Sequence, residues 1–439
     1  MGTSKYCGYF SLPTMAVVGL LFGLYLPKAL AETGSMSESE PPMLLRESRL
    51  LLLDGSSLAL AKSAVSTTPQ FAEALDNLLQ WADQALLMQA VSVTQNSILP
   101  VSGNSHDYFS VGPYWWPDPN QKDGLPWINR DGQVNPMFRD NDSDTKLFQQ
   151  LLTSVRTLAL AYYFSDKQEY ADKALALLQS WFIEPQTKMN PHLNFAQSIP
   201  GRTNGRGIGI IDWRGLPYLL DAMTLLQNQK TMEFQQGMDE WLTIFLGWLI
   251  ESKNGQDESA MHNNHGTYYD VIVTSLALYL DFDEVAKATV HKTQQRIISQ
   301  IATDGAQEYE LKRTKPFHYS VFNLLAMSQM ATLADKVGVN LWQFPTVQQP
   351  RIYQAYEFIF NNIHNAKLWP GSQEKSLNIE DLVGISLIFK RQYELPDHLT
   401  ERLTPDSDIA LQAQQCGLLF NQTFSFETNS ASGQELCLY

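Results

Sequence analysis

Apolar residues recur at the period of an α-helix along most of this chain. In the stretch from Phe71 to Ala90 they fall on one helical face. The same period predicts further helices near residues 144–165, 168–182, 213–228, 231–252, 264–281, 283–302, 317–337, 350–363 and 379–392. No run of alternating residues predicts a sheet, although Thr423 to Phe426 is compatible with one short strand.

Consecutive helices joined by short polar turns are typical of αα-hairpins, which stack as a solenoid or close into an (α/α) toroid. The chain lacks the fixed-period sequence repeat that marks the common solenoid families. We therefore predict an all-α fold, an (α/α) toroid built as an incomplete barrel of about six or seven helical hairpins.

One long stretch departs from the helical pattern, from about Ser97 to Asp144, and is dense in Gly, Pro, Asn and aromatic residues. A loop of this length is usually functional or disordered, and its aromatic content argues against disorder. Flat aromatic rings suit sugar rings, which makes Tyr114, Trp115 and Trp116 candidates for substrate binding in a loop over a cleft. The alternative is that these rings plug one end of the fold.

The chain has 439 residues, of which 44% are hydrophobic, and a formal net charge of −15. This composition is typical of a globular protein with an ample core. An acidic protein is not a general binder of nucleic acids, so an anionic substrate would require basic groups gathered in one place. We expect no nucleic-acid partner, and the oligomeric state stays open.

The N-terminal segment has the pattern of a secretory signal peptide. Lys5 precedes an apolar run from Met15 to Leu26, and Ala29 and Ala31 form a small-residue cleavage site. We predict a cut after Ala31 and a periplasmic or secreted protein with no membrane contact after cleavage. The alternative is an uncleaved anchor, for which the run is short because a span needs about 20 residues.

The composition changes again on either side of the helical region. A leader rich in Ser, Glu and Pro precedes it, and a tail follows it. The predicted divisions are a signal peptide at 1–31, a flexible leader at 32–45, a helical toroid domain at 46–400 and a C-terminal tail at 401–439. Cys416 and Cys437 remain after signal cleavage, and their spacing leaves open whether they form a disulfide.

The richest candidate site is the stretch from Met261 to Asp270, MHNNHGTYYD. At helical period His265 and Tyr269 share a face with the apolar residues that follow, so the histidine lies at a helix start on the inward side. An amide, an imidazole and phenols at one helix entrance can bind a carboxylate and transfer protons near neutral pH. The alternative is a polar cap over packed aromatics, with Asn263 as the N-cap. His262 and His265 alone are too few ligands for a metal site, so we predict no metal. We also predict no cofactor.

A second polar segment, from Glu308 to Leu324, places three cations before a helix that begins near Phe317. The cations are Lys312, Arg313 and Lys315. Tyr319 and Asn323 are four residues apart and share a helix face. Because the inner-helix entrances of a toroid gather at one rim, we expect this segment to meet His265.

A Gly-rich loop from Ile199 to Gly209 contains Arg202, Asn204 and Arg206. It lacks the Lys-Ser/Thr ending of a nucleotide-binding loop and follows no predicted strand. We interpret it as a rim loop whose arginines bind an anion, with a purely structural turn as the alternative.

Together these residues resemble the helical-toroid alginate lyase superfamily, whose polyuronate lyases have an Asn-His pair on one inner helix and an Arg-Tyr pair further on. The matching residues are Asn264 and His265, and Arg313 followed six residues later by Tyr319. An interval of six resembles polysaccharide lyase family 38, whereas the classical family 5 has seven. Four loops also look similar to family 38, at 114–117, 123–126, 129–132 and 204–207. The resemblance covers about residues 60 to 395.

The resemblance implies β-elimination at a 4-linked uronate, in which a base removes the C5 proton, an acid protonates O4 and polar groups neutralise the C6 carboxylate. It implies that Asn264 holds this carboxylate, that His265 assists it or is the base, and that Tyr319 is the acid or both base and acid. Arg313 would orient Tyr319 and lower its pKa. The further substrate-binding candidates are Tyr114, Trp115, Trp116, Arg202, Asn204, Arg206, Tyr268 and His318.

The implied substrate is an anionic polysaccharide such as alginate or glucuronan, while the uronate and the choice of endo or exo action stay open. The chief rival is a glycoside hydrolase on the same kind of toroid, which would use two carboxylates about 5 to 10 Å apart. Asp107, Asp212 and Asp270 are candidates for that pair. A third interpretation is a non-catalytic periplasmic polysaccharide-binding protein that uses the aromatic loop.

Overall fold

The computed structural model describes residues 50–139 and 143–363 together with 365, 367–369, 385, 388–389 and 391–393. The predictions for the signal peptide, the leader, the C-terminal tail, the two cysteines and the short strand near Thr423 lie outside these residues, as does most of the last predicted helix. Within the described part, no helix is long and apolar enough to cross a membrane.

The described residues are mainly helical, as predicted. The helices are α1 (Gly55–Ala64), α2 (Pro69–Leu86), α3 (Asp144–Ser165), α4 (Gln168–Leu178), α5 (Leu216–Leu225), α6 (Met232–Glu251), α7 (Lys253–Ser259), α8 (Asn264–Tyr279), α9 (Asp283–Gln300), α10 (Glu308–Leu311), α11 (Pro316–Asp335) and α12 (Arg351–Asn361). The predicted helices between residues 71 and 363 are all present within a few residues of their expected ends, whereas α1, α7 and α10 were not predicted.

The expected absence of strands is wrong, because the described residues include four short strands. The strands are β1 (Phe109–Val111), β2 (Trp115–Trp116), β3 (Ile128–Asn129) and β4 (Phe195–Ser198). β1 pairs in parallel with β4, and β2 pairs with β3 in the antiparallel direction. Strands of two to four residues are too short for an alternating pattern to be visible. The long aromatic loop therefore has secondary structure of its own.

The helices form an inner and an outer layer, and burial distinguishes them. In α8, 13 of the 16 residues are buried, whereas in α9 only 8 of the 18 are. The inner helices α3, α5, α8 and α11 contact one another in that order, and α4, α9 and α12 pack on the outside of α3, α8 and α11. The residues that begin α8 and α11 therefore belong to neighbouring inner helices.

Local sequence sets where these inner helices begin. The side chain of Asn263 accepts a hydrogen bond from the backbone N–H of His265, which confirms Asn263 as the N-cap of α8. Pro316 occupies the first turn of α11, where its missing N–H has no helical partner to lose. Each candidate segment consequently contains a fixed helix start.

An aromatic core fixes the segment from Gly207 to Trp213, which follows the Gly-rich loop. The ring of Trp213 stacks on Phe148 of α3 and Trp241 of α6, with ring centroids 3.9 and 5.6 Å apart respectively. All three rings are buried, and burying a side chain of this kind contributes about 2 kcal/mol. The loop that carries Arg206 is therefore anchored to the helical layers.

Candidate active site

The start of α8 contacts the 308–319 segment through one buried carboxylate. The backbone N–H of Asn264 donates to Oε1 of Glu310 over 2.7 Å, and its side-chain Nδ2 donates to Oε2 over 2.8 Å. Both residues are 1% exposed. Burial raises the pKa of Glu310 above its ordinary value, although the hydrogen bonds from Asn264 and the charges of Arg313 and His265 oppose it. The expectation that the two segments meet is confirmed.

A second buried carboxylate holds His265. Nδ1 of its ring lies 2.8 Å from Oε1 of Glu258, which is 1% exposed and belongs to α7. Because an ionised carboxylate only accepts hydrogen bonds, this contact assigns the ring hydrogen to Nδ1 and leaves Nε2 as an acceptor. The side chain of His265 is 15% exposed, so its ring is reachable from solvent.

Glycine at position 207 permits the close approach of α7 that places Glu258. A Cβ added at Gly207 would lie 2.5 Å from the backbone oxygen of Asn254 and 3.1 Å from the backbone nitrogen of Glu258. A larger residue would therefore push α7 away from the loop that carries Arg206.

Arg313 and Tyr319 form a compact unit with two residues of the aromatic loop. The guanidinium carbon of Arg313 lies 3.7 Å from the ring centroid of Tyr319, and its Nη2 donates to Asp131 over 2.9 Å. The hydroxyl oxygens of Tyr319 and Tyr114 are 2.6 Å apart. Arg313 therefore fixes the ring of Tyr319 from its face, while the loop residue Tyr114 contacts its hydroxyl group.

The expectation that Arg313 lowers the pKa of Tyr319 toward a phenolate is overturned. Burial raises this pKa well above its ordinary value, and the hydrogen bond to Tyr114 raises it further, so the lowering effect of Arg313 is outweighed. Burial also opposes the charge on Arg313, but the hydrogen bond to Asp131 and the nearby acids keep its pKa above its ordinary value. Tyr319 is a neutral phenol beside a charged guanidinium.

Arg206 is held by both oxygens of one strained residue. Its Nε donates to the backbone oxygen of Gln197 over 3.0 Å and its Nη2 donates to Oε1 over 3.1 Å. Gln197 has φ of 48°, the left-handed region that non-glycine residues rarely adopt, and its Nε2 donates to the buried Asp212. Burial raises the pKa of Asp212. This arrangement fixes the guanidinium at the base of the aromatic loop.

The half-buried tryptophans of the loop alternate with cations. The ring of Trp115 lies 5.3 Å from the guanidinium of Arg202 and 5.9 Å from that of Arg206. The ring of Trp116 lies 5.3 Å from the guanidinium of Arg130. Three arginines of this acidic chain thus lie beside two tryptophans, the kind of gathering that an anionic substrate would require.

Other rings of the loop fit the alternative that they plug the fold. Tyr108 is 1% exposed, and Trp127 is 6% exposed and packs with Val111 and Ile199. The loop is therefore partly a structural plug and partly a half-exposed surface.

The remaining substrate-binding candidates differ in burial and in their contacts. Tyr268 is 2% exposed and its hydroxyl donates to the backbone oxygen of Phe322, so its polar end is used in packing. His318 is exposed; its ring stacks on Phe322 with centroids 6.0 Å apart and meets Tyr319 edge to face at 5.4 Å. Asn204 and Arg202 are exposed, and Nε of Arg202 donates to the backbone oxygen of Trp127. Their substrate-binding roles stay predictions.

The three carboxylates considered for a hydrolase are engaged in structural contacts. Asp270 is fully buried and paired with Arg296. Asp107 accepts from Ser102 and Asn190 and lies 3.3 Å from His192. Asp212 accepts from Tyr108, Ser110 and Gln197. Among the described residues there is also no group of three His, Cys, Asp or Glu side chains that could hold a metal ion.

Four residues that contact the candidates were not themselves predicted as site residues. They are Asp131, Gln197, Glu258 and Glu310. Glu258 precedes His265 by seven residues and Glu310 precedes Arg313 by three, so an acid at these intervals was the available signal. Without knowing how α7 and α10 pack, that signal cannot be told from ordinary surface charge.

Comparison with known proteins supports the resemblance to alginate lyases that the sequence motifs indicated. A family model described as alginate lyase matches residues 92–369. An alginate lyase from Bacteroides ovatus is 33% identical with a TM-score of 0.73, covering 84% of this chain and 98% of that chain. No curated protein sequence matches this chain.

A more distant structure shares the fold. Alginate lyase A1-III from Sphingomonas species A1 is 16% identical with a TM-score of 0.53, covering 82% of this chain and 93% of that chain. Variants of that enzyme, with a histidine replaced by alanine or a tyrosine by phenylalanine, are solved in complex with a tetrasaccharide. These neighbours and the helical layers confirm the predicted all-α toroid. The chain belongs to the alginate lyase family of polysaccharide lyases.

Proposed function

We propose that this protein cleaves alginate, or a closely related 4-linked polyuronate such as glucuronan, by β-elimination. The new non-reducing end is then a 4,5-unsaturated uronate. The observation that carries the proposal is the convergence of two helix starts, at which Asn264, His265, Arg313 and Tyr319 are each held by a neighbouring side chain.

His265 is the base in this proposal. Its Nε2 is the free acceptor of the ring and takes the C5 proton. Glu258 fixes the tautomer and stabilises the imidazolium that forms, as the carboxylate of a catalytic triad does for its histidine.

Tyr319 is the acid. Its raised pKa keeps the phenol protonated, which suits a group that must donate to O4 as the C4–O4 bond breaks. The electrons of the broken C5–H bond form the C4=C5 double bond, and O4 leaves with the proton of Tyr319. The hydroxyl of Tyr114, 2.6 Å away, is placed to share the phenolate charge that remains.

Asn264 and the arginines account for the negative charge of the substrate. The C5 proton is poorly acidic while the C6 carboxylate is ionised, so groups that hydrogen-bond this carboxylate accelerate the reaction. Asn264 is adjacent to the base and fits that task. Arg202 and Arg206 among the tryptophans suit the carboxylates of neighbouring sugars.

The hydrolase alternative loses its support. Asp107, Asp212 and Asp270 are occupied by structural partners. The acids at the site, Asp131, Glu258 and Glu310, are each bonded to a catalytic candidate. A hydrolase pair requires one protonated and one ionised carboxyl group facing the sugar. Acids that serve as hydrogen-bond acceptors for Arg313, His265 and Asn264 do not meet this requirement.

The test is incubation with polymannuronate, polyguluronate and glucuronan, with ultraviolet absorbance and reducing ends measured together. Elimination produces one conjugated double bond for each new reducing end, and we expect both signals to rise in parallel with one or more of these polymers. Reducing ends without absorbance would mean hydrolysis and would end the proposal. The same comparison identifies the uronate that is cleaved.

Export completes the proposal. A polymeric substrate must be met outside the cytoplasm, and the N-terminal segment has the signal-peptide pattern with a small-residue site at Ala31. N-terminal sequencing of the protein from the periplasm or medium of its host should begin at Glu32. Recovery of the intact N-terminus from the membrane fraction would instead support the anchor.

A further inference from the structure

Glu310 bonds two different donors of one residue. Its Oε1 accepts from the backbone N–H of Asn264 and its Oε2 accepts from Nδ2 of the same residue. Its own backbone oxygen accepts from the backbone N–H of Arg313 over 3.1 Å. One side chain therefore connects the start of α8 with the segment that carries the arginine.

We propose that Glu310 is a positioning residue that sets which way the side-chain amide of Asn264 faces. The catalytic consequence rests on the proposed function, because it concerns the hydrogen bonds that Asn264 offers to the C6 carboxyl group of the substrate. The orientation itself rests only on the two hydrogen bonds.

The orientation follows from what each group can donate. An ionised carboxylate has no hydrogen to give, so only the Nδ2 side of the amide can face it. Turning the amide over would set Oδ1 of Asn264 against Oε2 of Glu310, two acceptors in contact where both residues are 1% exposed. Buried polar groups left in such contacts are costly, so the amide has one stable orientation.

Glu310 thereby limits what Asn264 can offer. It takes one of the two Nδ2 hydrogens, so the amide retains one N–H donor and the acceptor Oδ1. A fully ionised carboxylate can use only the donor, whereas a carboxyl group that shares a proton can use both. The amide is thus matched to a neutralised carboxyl group, the state in which the C5 proton is acidic, rather than to the ground-state carboxylate.

Glu310→Gln reverses this orientation with little change in volume. The introduced amide still accepts from the backbone N–H of Asn264, and its own N–H group must face an acceptor, which turns Oδ1 of Asn264 toward it. Both Nδ2 hydrogens then become available to the substrate. We expect the ionised C6 carboxylate of the bound substrate to bind at least as well as in the wild type. The neutralised carboxyl group, in contrast, loses Oδ1 of Asn264 as a hydrogen-bond acceptor.

The expected result is a kcat about 10- to 100-fold lower with a KM that is unchanged or lower, the pattern of a lost transition-state interaction. Glu308→Gln is the matched control, because Glu308 lies on the same short helix α10 with its side chain 70% exposed. Its kcat and KM should remain those of the wild type. A raised KM with unchanged kcat in Glu310→Gln would overturn the proposal.

A double-mutant cycle separates positioning from simple loss of structure. If Glu310 acts through Asn264, then adding Glu310→Gln to Asn264→Ala should change kcat by less than about twofold. An effect as large as in the wild-type background would show that Glu310 acts elsewhere and would contradict the proposal.

Exchanging the amide and the carboxylate between positions 264 and 310 gives a readout that does not depend on activity. Asn264→Asp alone sets two carboxylates against each other and should lower the unfolding temperature, while Asn264→Asp with Glu310→Gln restores a donor facing an acceptor and should recover most of the loss. Failure to recover would overturn the orientation. If no polymer gave an unsaturated product with the wild type, the proposed function would fail while this measurement still decided the role of Glu310.

Discussion

At the scale of single residues, the surroundings of Tyr319 and His265 support the proposed assignment of the acid and the base. Tyr319 is 5% exposed, and burial with the Tyr114 hydrogen bond outweighs the cation on its ring face. His265 has an acceptor nitrogen free because Glu258 takes the other ring position. In the proposed mechanism, the two candidates for the base that the sequence left open are therefore assigned different roles by their surroundings.

We expect Glu258→Gln to lower kcat for elimination by about 100-fold or more, with a smaller effect on KM. The uncharged amide can no longer stabilise the imidazolium that forms when His265 takes the proton, and losing the equivalent carboxylate in a catalytic triad costs about 10⁴. Initial rates of unsaturated product over a range of polymer concentrations give both constants.

Asp257→Asn is the control for that variant. Asp257 is the neighbouring residue on α7, half-exposed and paired with Lys253 at the surface. Its kinetic constants should stay within twofold of the wild type. Equal losses in both variants would show that α7 as a whole, and not the carboxylate of Glu258, supports the reaction.

The sequence predicted the residues with distinctive chemistry but not the residues that hold them. Asn264, His265, Arg313 and Tyr319 were found because their spacing resembles a known family. Glu258 and Glu310 are common acidic residues, and their importance comes from burial at 1% exposure, which no local pattern reveals. The sign of the pKa shift of Tyr319 was wrong for the same reason.

At the scale of elements, the start of α8 is clamped to α9 by a buried ion pair. Arg296 donates to Asp270 over 2.8 Å and also donates to the backbone oxygen of Met261, just before α8 begins. Gly266 leaves space for this guanidinium, because a Cβ there would collide with Arg296. The position of the Asn-His pair therefore depends on an outer helix.

We expect Asp270→Asn to destabilise the fold by about 3 to 5 kcal/mol at neutral pH, since it leaves the charge of Arg296 buried without a partner. Urea-induced unfolding of the two proteins gives the difference. A change below about 1 kcal/mol would contradict the clamp.

The ion pair of Asp270 and Arg296 also predicts how the stability difference between wild type and Asp270→Asn varies with pH. Burial works against ionisation of Asp270, but Arg296 and Lys292 overcome it and hold its pKa below the ordinary value. A lowered folded-state pKa gives stability that is complete above the unfolded value of about 4 and is lost as the pH falls below it. The gap between wild type and Asp270→Asn should therefore narrow below about pH 4. A gap that stayed constant would show that the loss is not electrostatic.

Long elements were predictable and short ones were not. The apolar period of α3 runs for 22 residues, and its ends were predicted correctly. The 4-residue helix α10 and the 2-residue strands β2 and β3 contain too few positions for a period, and they form because the surrounding chain holds them. The strands of the aromatic loop were missed for this reason.

At the scale of the whole molecule, the core contains two carboxyl groups that keep their protons to a higher pH than an ordinary aspartate does. Burial raises the pKa of Asp144 to about 7 and that of Asp221 to about 6, in each case against hydrogen bonds from backbone N–H groups. Asp144 begins α3, and Asp221 in α5 accepts from the backbone of residues 51–53. These acids bind protons more tightly in the folded state than in the unfolded state.

We therefore expect these two acids to make stability fall as the pH rises from about 4 to about 7. In that window the folded state holds more protons than the unfolded state, and each raised group contributes a slope of up to about 1.4 kcal/mol per pH unit. Asp144→Asn should flatten the slope between about pH 4 and 7, measured as the free energy of unfolding in urea at several pH values. An unchanged slope in the variant would contradict the raised pKa.

The molecule as a whole combines a net charge of −15 with a group of arginines around the aromatic loop. Arg130, Arg202, Arg206 and Arg313 all contact aromatic rings there. The toroid supplies adjacent helix starts, and the loop supplies cations and rings over them. The central claim is that this assembly eliminates O4 from a polyuronate with Tyr319 as the proton donor.

The most direct test compares the wild type with Tyr319→Phe on the polymer that the wild type cleaves best, recording the ultraviolet absorbance of the unsaturated product. Phenylalanine keeps the ring beneath the guanidinium of Arg313 and removes only the hydroxyl that meets Tyr114. We predict a kcat lower by about 100-fold or more, the typical contribution of general acid catalysis, with the fold retained. Unsaturated product formed by Tyr319→Phe at the wild-type rate would contradict the account.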